Sequence, residues 1–171
     1  MSEFNTTAGQ TIARALLVAY LNTGTSAAPV WSPLGTRVED SSTEYDWGDE
    51  SIQDILGHTY TTMKTPTLTQ SFDPCPLDSG EAALTHIWNL AVKEQDAQAL
   101  ANQDMLIAHY YDGDDGNFAE RYSACAVRPT SLGGEGGGNI EMPIDVTYGG
   151  DRTVGTVTKS NGAVTFTANA A

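Results

Sequence analysis

Positive charge is scarce in this chain. Its 171 residues hold eight Lys and Arg against 22 Asp and Glu, for a formal net charge of −14. Gripping nucleic acid takes many Lys and Arg contacts to phosphate, so this composition excludes a nucleic-acid binder of that kind. An acidic wall acts in the opposite sense and repels phosphate. Cysteine is nearly absent too. Cys75 and Cys125 stand 50 positions apart, which suits two reduced, partly buried thiols better than a disulfide framework. Long apolar runs are missing: the longest, Ala15 to Leu21, falls far short of the roughly 20 residues that span a bilayer. The opening MSEFNTTAGQ has no basic stretch before an apolar run, so neither a secretory leader nor a membrane partner is expected.

The usual signatures of catalysis are also lacking. His58, His86 and His109 lie far apart and share no ligand spacing with each other or with cysteine. There is no G-x-S-x-G, no Walker loop and no dinucleotide fingerprint. GGEGGG at 133–138 lacks the Lys-Ser/Thr of a phosphate loop and leads into a strand-like segment, so it reads as a loose connection. DGDDGN at 112–117 fails the EF-hand pattern, which wants glycine at position six and a carboxylate at twelve but meets Asn117 and Ser123. Paired carboxylates for glycoside hydrolysis are uninformative in a chain so rich in acids. No catalytic residue, metal ligand or cofactor site is assigned, and the chain reads as a non-enzyme.

What the sequence does contain is one helix signal among strand signals. In LDSGEAALTHIWNLAVKEQ, Asp78 or Ser79 is placed to cap a helix over about 78–95, and Glu81 has the capping-box spacing from Asp78. Leu84, Ile87, Trp88 and Ala91 recur at helical period and predict the stripe that packs on a sheet, with His86 structural. The remainder alternates in β fashion between Gly, Pro and Asn turns. Ala13 to Leu21 fits a short helix or a strand, and Val18 and Tyr20 favour the strand; Trp31 to Leu34 reads as a short extended piece. The segments 57–66 and 67–74 read as paired Thr-rich strands. Met105 to Tyr111 and Phe118 to Val127 form a hairpin signal around DGDDGN. In the second of these, Phe118, Glu120, Tyr122, Ala124 and Ala126 fall on one side, and Ala119, Arg121, Ser123, Cys125 and Val127 on the other. Asn161-Gly162 predicts a final tight hairpin. The expected class is mainly β (α+β). Residues 13–171 make a single domain of β-sandwich or barrel-forming sheets flanked by one α-helix, behind a flexible N-terminal arm at 1–12.

Residues 39–54 stand apart, with seven acids and no base. They are read as the core of a long acidic loop over about 39–56. Such a run is commonly a solvated loop. Tyr45 and Trp47, two positions apart, give it one aromatic face, and large apolar groups on an acidic loop mark a protein contact.

The order of these features resembles the major tail tube proteins of long-tailed, non-contractile (siphovirus-type) bacteriophages. The resemblance runs from residue 13 to 168: Trp31-x-Pro-Leu-Gly35, the acidic segment with Tyr45 and Trp47, Gly57-x-Thr59, Phe72-Asp73-Pro74, a helix opened by Ser79-Gly80-Glu81, Asp104-Met-Leu-Ile, Phe118-Ala-Glu-Arg-Tyr and a Gly-rich C-terminal hairpin. It implies the tail-tube fold, which contractile tubes, type VI secretion tubes and gene-transfer agents share. It further implies self-assembly into stacked rings, usually hexameric, forming a conduit for DNA ejection into the host. Its implied partners are other copies of the chain, the tape measure, tail tip and tail terminator proteins, and DNA that passes without being bound. Its implied location is the virion tail, assembled in the host cytoplasm. By position, the resemblance assigns Tyr45, Asp46, Trp47, Asp49 and Glu50 to contact between rings. The competing reading is a non-enzymatic β-sandwich that binds a ligand or decorates a capsid.

Overall fold

A computed structural model describes Phe4, residues 6–113 and residues 116–171. Asp114 and Asp115 of the DGDDGN turn lie outside the described residues, as does most of the start of the expected arm. The strands are β1 (Leu17–Asn22), β2 (Trp31–Leu34), β3 (Thr43–Asp46), β4 (Glu50–Gln53), β5 (Thr59–Thr62), β6 (Thr67–Phe72), β7 (Gln103–Gly113), β8 (Asn117–Pro129), β9 (Ile144–Tyr148), β10 (Arg152–Ser160) and β11 (Ala163–Ala168). Nine of them join in one sheet in which every pairing is antiparallel; β4 and β5 pair only with each other.

The long strand β8 organises the sheet. One edge pairs with β7. The other edge pairs with β10 over Asn117–Tyr122 and with β9 over Ala126–Pro129. The switch falls at a β-bulge: Met105 faces Tyr122, but Gln103 faces Cys125, so β8 carries an extra residue there. Ala124 takes the left-handed conformation at φ +52°. The facing turn, Gly149-Gly150-Asp151, grips the bulge through Ser123 N–H to the Asp151 carbonyl and Asp151 N–H to Ser123 Oγ, both at 3.2 Å. A Cβ on Gly150 would collide with the Ser123 carbonyl, and its φ of +62° disfavours other residues as well. The extra residue also corrects the simple alternation expected along this strand. Tyr122, Cys125 and Val127 all enter the same core, although an unbroken strand would put Tyr122 on the opposite face from the other two.

Two apolar cores result, one on each face of the β1–β7–β8 region. The larger holds Leu21, Phe72, Ile87, Met105, Ile144 and Val146, between this region, the β9–β6–β3 strands and a helix. The smaller holds Tyr20, Trp31, Leu106, Ala108, Ala119 and Val157, with Val164 and Phe166 against it. Cα atoms of β11 come within 8 Å of β2, so the run β2–β1–β7–β8–β10–β11 curls round this second core towards closure. Gly155 permits that curl, because a Cβ there would stand 2.8 Å from the Phe166 ring.

The helical region is more broken than its periodicity predicts. α1 spans Ala82–Trp88 rather than starting at 78, and no side chain caps it. Asp78 instead builds a turn before the helix, accepting Gly80 N–H on its carboxylate and Glu81 N–H on its carbonyl. That leaves Glu81 at the capping position itself, and the capping box does not form. Asn89–Lys93 follows as a π-helical segment closed by Glu94 N–H to the Asn89 carbonyl at 3.0 Å. α2 (Ala97–Leu100) is capped by Asp96, whose carboxylate accepts Ala99 N–H. Ala83, Leu84 and Ile87 are buried, and Trp88 packs partly buried against them. Ala91 sits in the wider π turn and stays outside the core. His86 bonds Gln103 Oε1 at 3.1 Å.

The two Thr-rich strands β5 and β6 do not pair with each other. Pro66 lies between them, and the chain changes sheet there: β6 joins β3 and β9, whereas β5 folds back on β4. The expected 39–56 loop therefore carries two short strands, Thr43–Asp46 at the sheet edge and Glu50–Gln53 in the β4–β5 ribbon.

Candidate functional site

The β4–β5 ribbon stands uncovered by the other described residues. All eight of its strand positions are exposed. Its pairing puts Ile52 beside Tyr60 on one face, with Glu50 and Thr62 at the root end of that face, and Ser51, Gln53, Thr59 and Thr61 on the other, so the apolar side chains all lie on one face. Ile55 and Leu56 at the tip are fully exposed and 76% exposed. A lone two-stranded hairpin is marginal in water. Asp54 braces this one: Oδ1 accepts Leu56 N–H and His58 N–H, each at 2.9 Å, and Oδ2 lies 3.2 Å from His58 Nδ1. Backbone bonds from His58, first among these contacts, hold the Asp54 carboxyl below its ordinary range.

At the ribbon's root, Tyr45 and Trp47 stack with ring centroids 6.0 Å apart and planes 14° from parallel. Lys64 N–H bonds the Trp47 carbonyl at 2.9 Å and closes the base. The stacked pair forms a wall of a groove of about 560 Å³, completed by Pro66, Leu68, Tyr122, Tyr148 and the Gly149-Gly150 turn. Glu120 and Arg152 also line it. Glu120 is only 7% exposed at its side chain. It accepts from Arg152 Nε at 2.7 Å and Tyr122 Oη at 3.2 Å on one oxygen, and meets His109 Nε2 at 2.9 Å on the other. Burial pushes its carboxyl up, but the bonds from His109 and Arg152 outweigh that and hold it below the usual range. A carboxylate so fully bonded is a structural anchor. Burial raises the Tyr45 hydroxyl, and the negative charge of Glu120 adds to the effect.

Of the residues singled out in the sequence, Tyr45 and Trp47 come together, and Asp46, Asp49 and Glu50 run exposed beside them into β4. Ile52, Ile55, Leu56, Tyr60 and Met63, all exposed, went unrecognised. Their signal was the apolar pairing of Ile52 and Tyr60 about the Asp54–Gly57 turn. Four of the eight cations are spent on acids within the chain: Arg37 on Asp78, Arg121 on Asp104, Arg128 on Asp145 and Arg152 on Glu120. Arg14 donates to the Leu17 and Ser41 carbonyls, and Lys93 lies 5.3 Å over the Trp88 ring. Among the described residues Lys64 and Lys159 have no such partner. Among the described residues, too, no group of three His, Cys, Asp or Glu is placed to hold a metal, and no helix is long and apolar enough to cross a membrane.

This curled, mainly antiparallel sheet with a short helix on one face is the fold of tail-tube-like proteins. The sheath/tube terminator of an extracellular contractile injection system, PVC, matches over 86% of this chain and 99% of its own, with a TM-score of 0.51 at 8% identity. The same system's sheath–tube complex matches over 88% and 95%, with a TM-score of 0.49 at 8% identity. The tube-terminating cap of the anti-feeding prophage matches over 89% and 95%, with a TM-score of 0.47 at 12% identity. The terminator carries the comparison, and at 8% identity what it shares with this chain is the fold. No protein-family model and no curated protein matches the sequence.

Proposed function

We propose that this chain is a non-enzymatic structural subunit that assembles with copies of itself into a tube. One observation carries the reading: the chain projects a ribbon whose Ile52–Tyr60 pair and Ile55–Leu56 tip no described residue covers. Exposed apolar surface on an otherwise well-packed protein is surface awaiting a partner. The fold shared with a tube terminator makes a neighbouring subunit the natural partner. On this reading the subunits close into rings, hexameric as in siphovirus-type tails, and the rings stack into a bacteriophage tail tube. Tyr45, Asp46, Trp47, Asp49 and Glu50 serve the contact between rings. Tape measure, tip and terminator proteins bound the tube's length. The net charge of −14 per chain makes an acidic conduit through which DNA slides during ejection into the host.

Negative-stain electron microscopy of the purified protein tests the reading, alone and with its tip proteins. Rings or tubes with a central hole are expected. A concentrated sample that stays monomeric under both conditions overturns it in favour of a binding or decoration module.

A further inference from the structure

We infer that the Ile55–Leu56 tip of one copy seats in the groove beside Tyr45 and Trp47 at the ribbon root of a second copy. The inference rests on the self-assembly reading and names the two surfaces that meet. The tip is a preformed knob. Asp54 fixes its turn through three bonds, so two large aliphatic side chains are held outward without a further ordering cost on docking. The knob does not reach its own chain's groove. Four residue pairs of ribbon, roughly 13 Å at the usual strand rise, separate it from the root, and no tip residue lines the groove.

The groove suits the knob in both shape and charge. Its walls are the stacked Tyr45–Trp47 pair, Pro66, Leu68 and Tyr148, all apolar surface. Its one buried carboxylate, Glu120, is already satisfied by His109, Tyr122 and Arg152, so an apolar occupant strands no charge. One of the two cations without an acidic partner among the described residues stands beside the groove. That cation, Lys64, adjoins the lining residue Thr65, while Arg152 on the lining is paired with Glu120. The knob is flanked by Asp54, whereas Asp49 and Glu50 stand at the root end of the ribbon. Knob and groove lie at opposite ends of one ribbon. Their contact is therefore head-to-tail: each copy offers one of each, and repetition closes a ring or extends a filament.

Disulfide trapping tests the contact directly, because both native cysteines are buried and leave the surface free of thiols. The double variant Leu56→Cys/Thr65→Cys is oxidised under conditions where the wild-type protein assembles, then run on a non-reducing gel. A ladder extending beyond dimer is expected from the double variant, with no ladder from either single variant. Rings or tubes in the micrographs without a ladder overturn the docking and leave the tube reading standing. Dimers from Leu56→Cys alone show a tip-to-tip contact and overturn it as well. A ladder from a protein that never forms rings or tubes supports the docking and removes the tube. As a second arm, Leu56→Asp is expected to lower the assembled fraction at least tenfold, while Thr61→Asp on the hydroxyl face leaves it within twofold. Equal effects from the two overturn the docking.

Discussion

Replacing Ile87 with Ala probes the helix that braces the sheet. Ile87 is fully buried in α1 against the larger core. The change removes three carbons, worth about 2.4 kcal/mol at roughly 0.8 kcal/mol per buried methylene. The cavity left behind adds to that, because a sheet knitted on both sides of β8 cannot collapse into it; the total is about 3–4 kcal/mol, within the range for such truncations. In a chain of this size that lowers the melting temperature by roughly 6–16 °C. Urea unfolding followed by tryptophan fluorescence measures it, at a concentration where the protein is monomeric so that assembly does not mask the loss. Ala91→Ser is the control. A continuous α-helix over 78–95 would place Ala91 one turn beyond Ile87 on the buried stripe, but the π turn holds it outside the core, so its replacement should cost less than about 1 kcal/mol. A cost below about 1 kcal/mol for Ile87→Ala, or equal costs at the two positions, would refute the reasoning.

Three further outcomes follow from the same geometry. Glu120→Gln should be less stable than wild type at neutral pH. Glu120 has a lowered folded pKa, so its charge stabilises the protein above the unfolded value of about 4.3 and the benefit is lost as pH falls through the folded value. The two stability curves should then converge below about pH 4, and a gap independent of pH would contradict this. Burial pushes both Cys75 and Cys125 up to about 11, so neither thiol should react with a disulfide reagent at pH 8 until urea unfolds the chain; prompt native labelling would show that the cores are open. Trp47→Ala should leave the monomer folded, with unchanged circular dichroism, yet shorten the tubes seen by electron microscopy, and tubes of normal length would remove Trp47 from the contact.

The strands were legible wherever a local rule decided them. Asn161-Gly162 sits in a tight turn with φ of +50° and +81°, and Leu68, Gln70 and Phe72 alternate inward along β6, because hairpin turns and pleat parity act over a few residues. What sequence did not reveal depends on distant partners. The bulge at Ser123–Ala124 arises where β8 trades β10 for β9, and only the meeting of those strands defines it. The helix reading failed at both ends for related reasons. Asp78 had two local bonding options and took the turn, and the π segment leaves no mark on an apolar period. Within the candidate site, the pairing of Tyr45 and Trp47 followed from their spacing. The groove they line did not, because its other walls come from the start of β6, from β8 and β9, and from the turn before β10. The ribbon went unseen because the excess of acid in 39–54 masked a strand pattern that becomes visible only once Tyr60 is set against Ile52.

The smaller core has a consequence for when the molecule becomes whole. Tyr20 and Trp31 are made early, whereas Val157, Val164 and Phe166, which pack with them, follow more than 120 residues later in the chain. A nascent chain cannot bury the early aromatics until the β10–β11 hairpin arrives, and non-local closures of this kind are slow. The ribbon emerges long before then, but it is carried by a body whose groove still lacks Tyr148, the glycine turn and Arg152. On the docking inferred above, a chain made only as far as the ribbon offers a knob without a socket, and docking waits for the later strands.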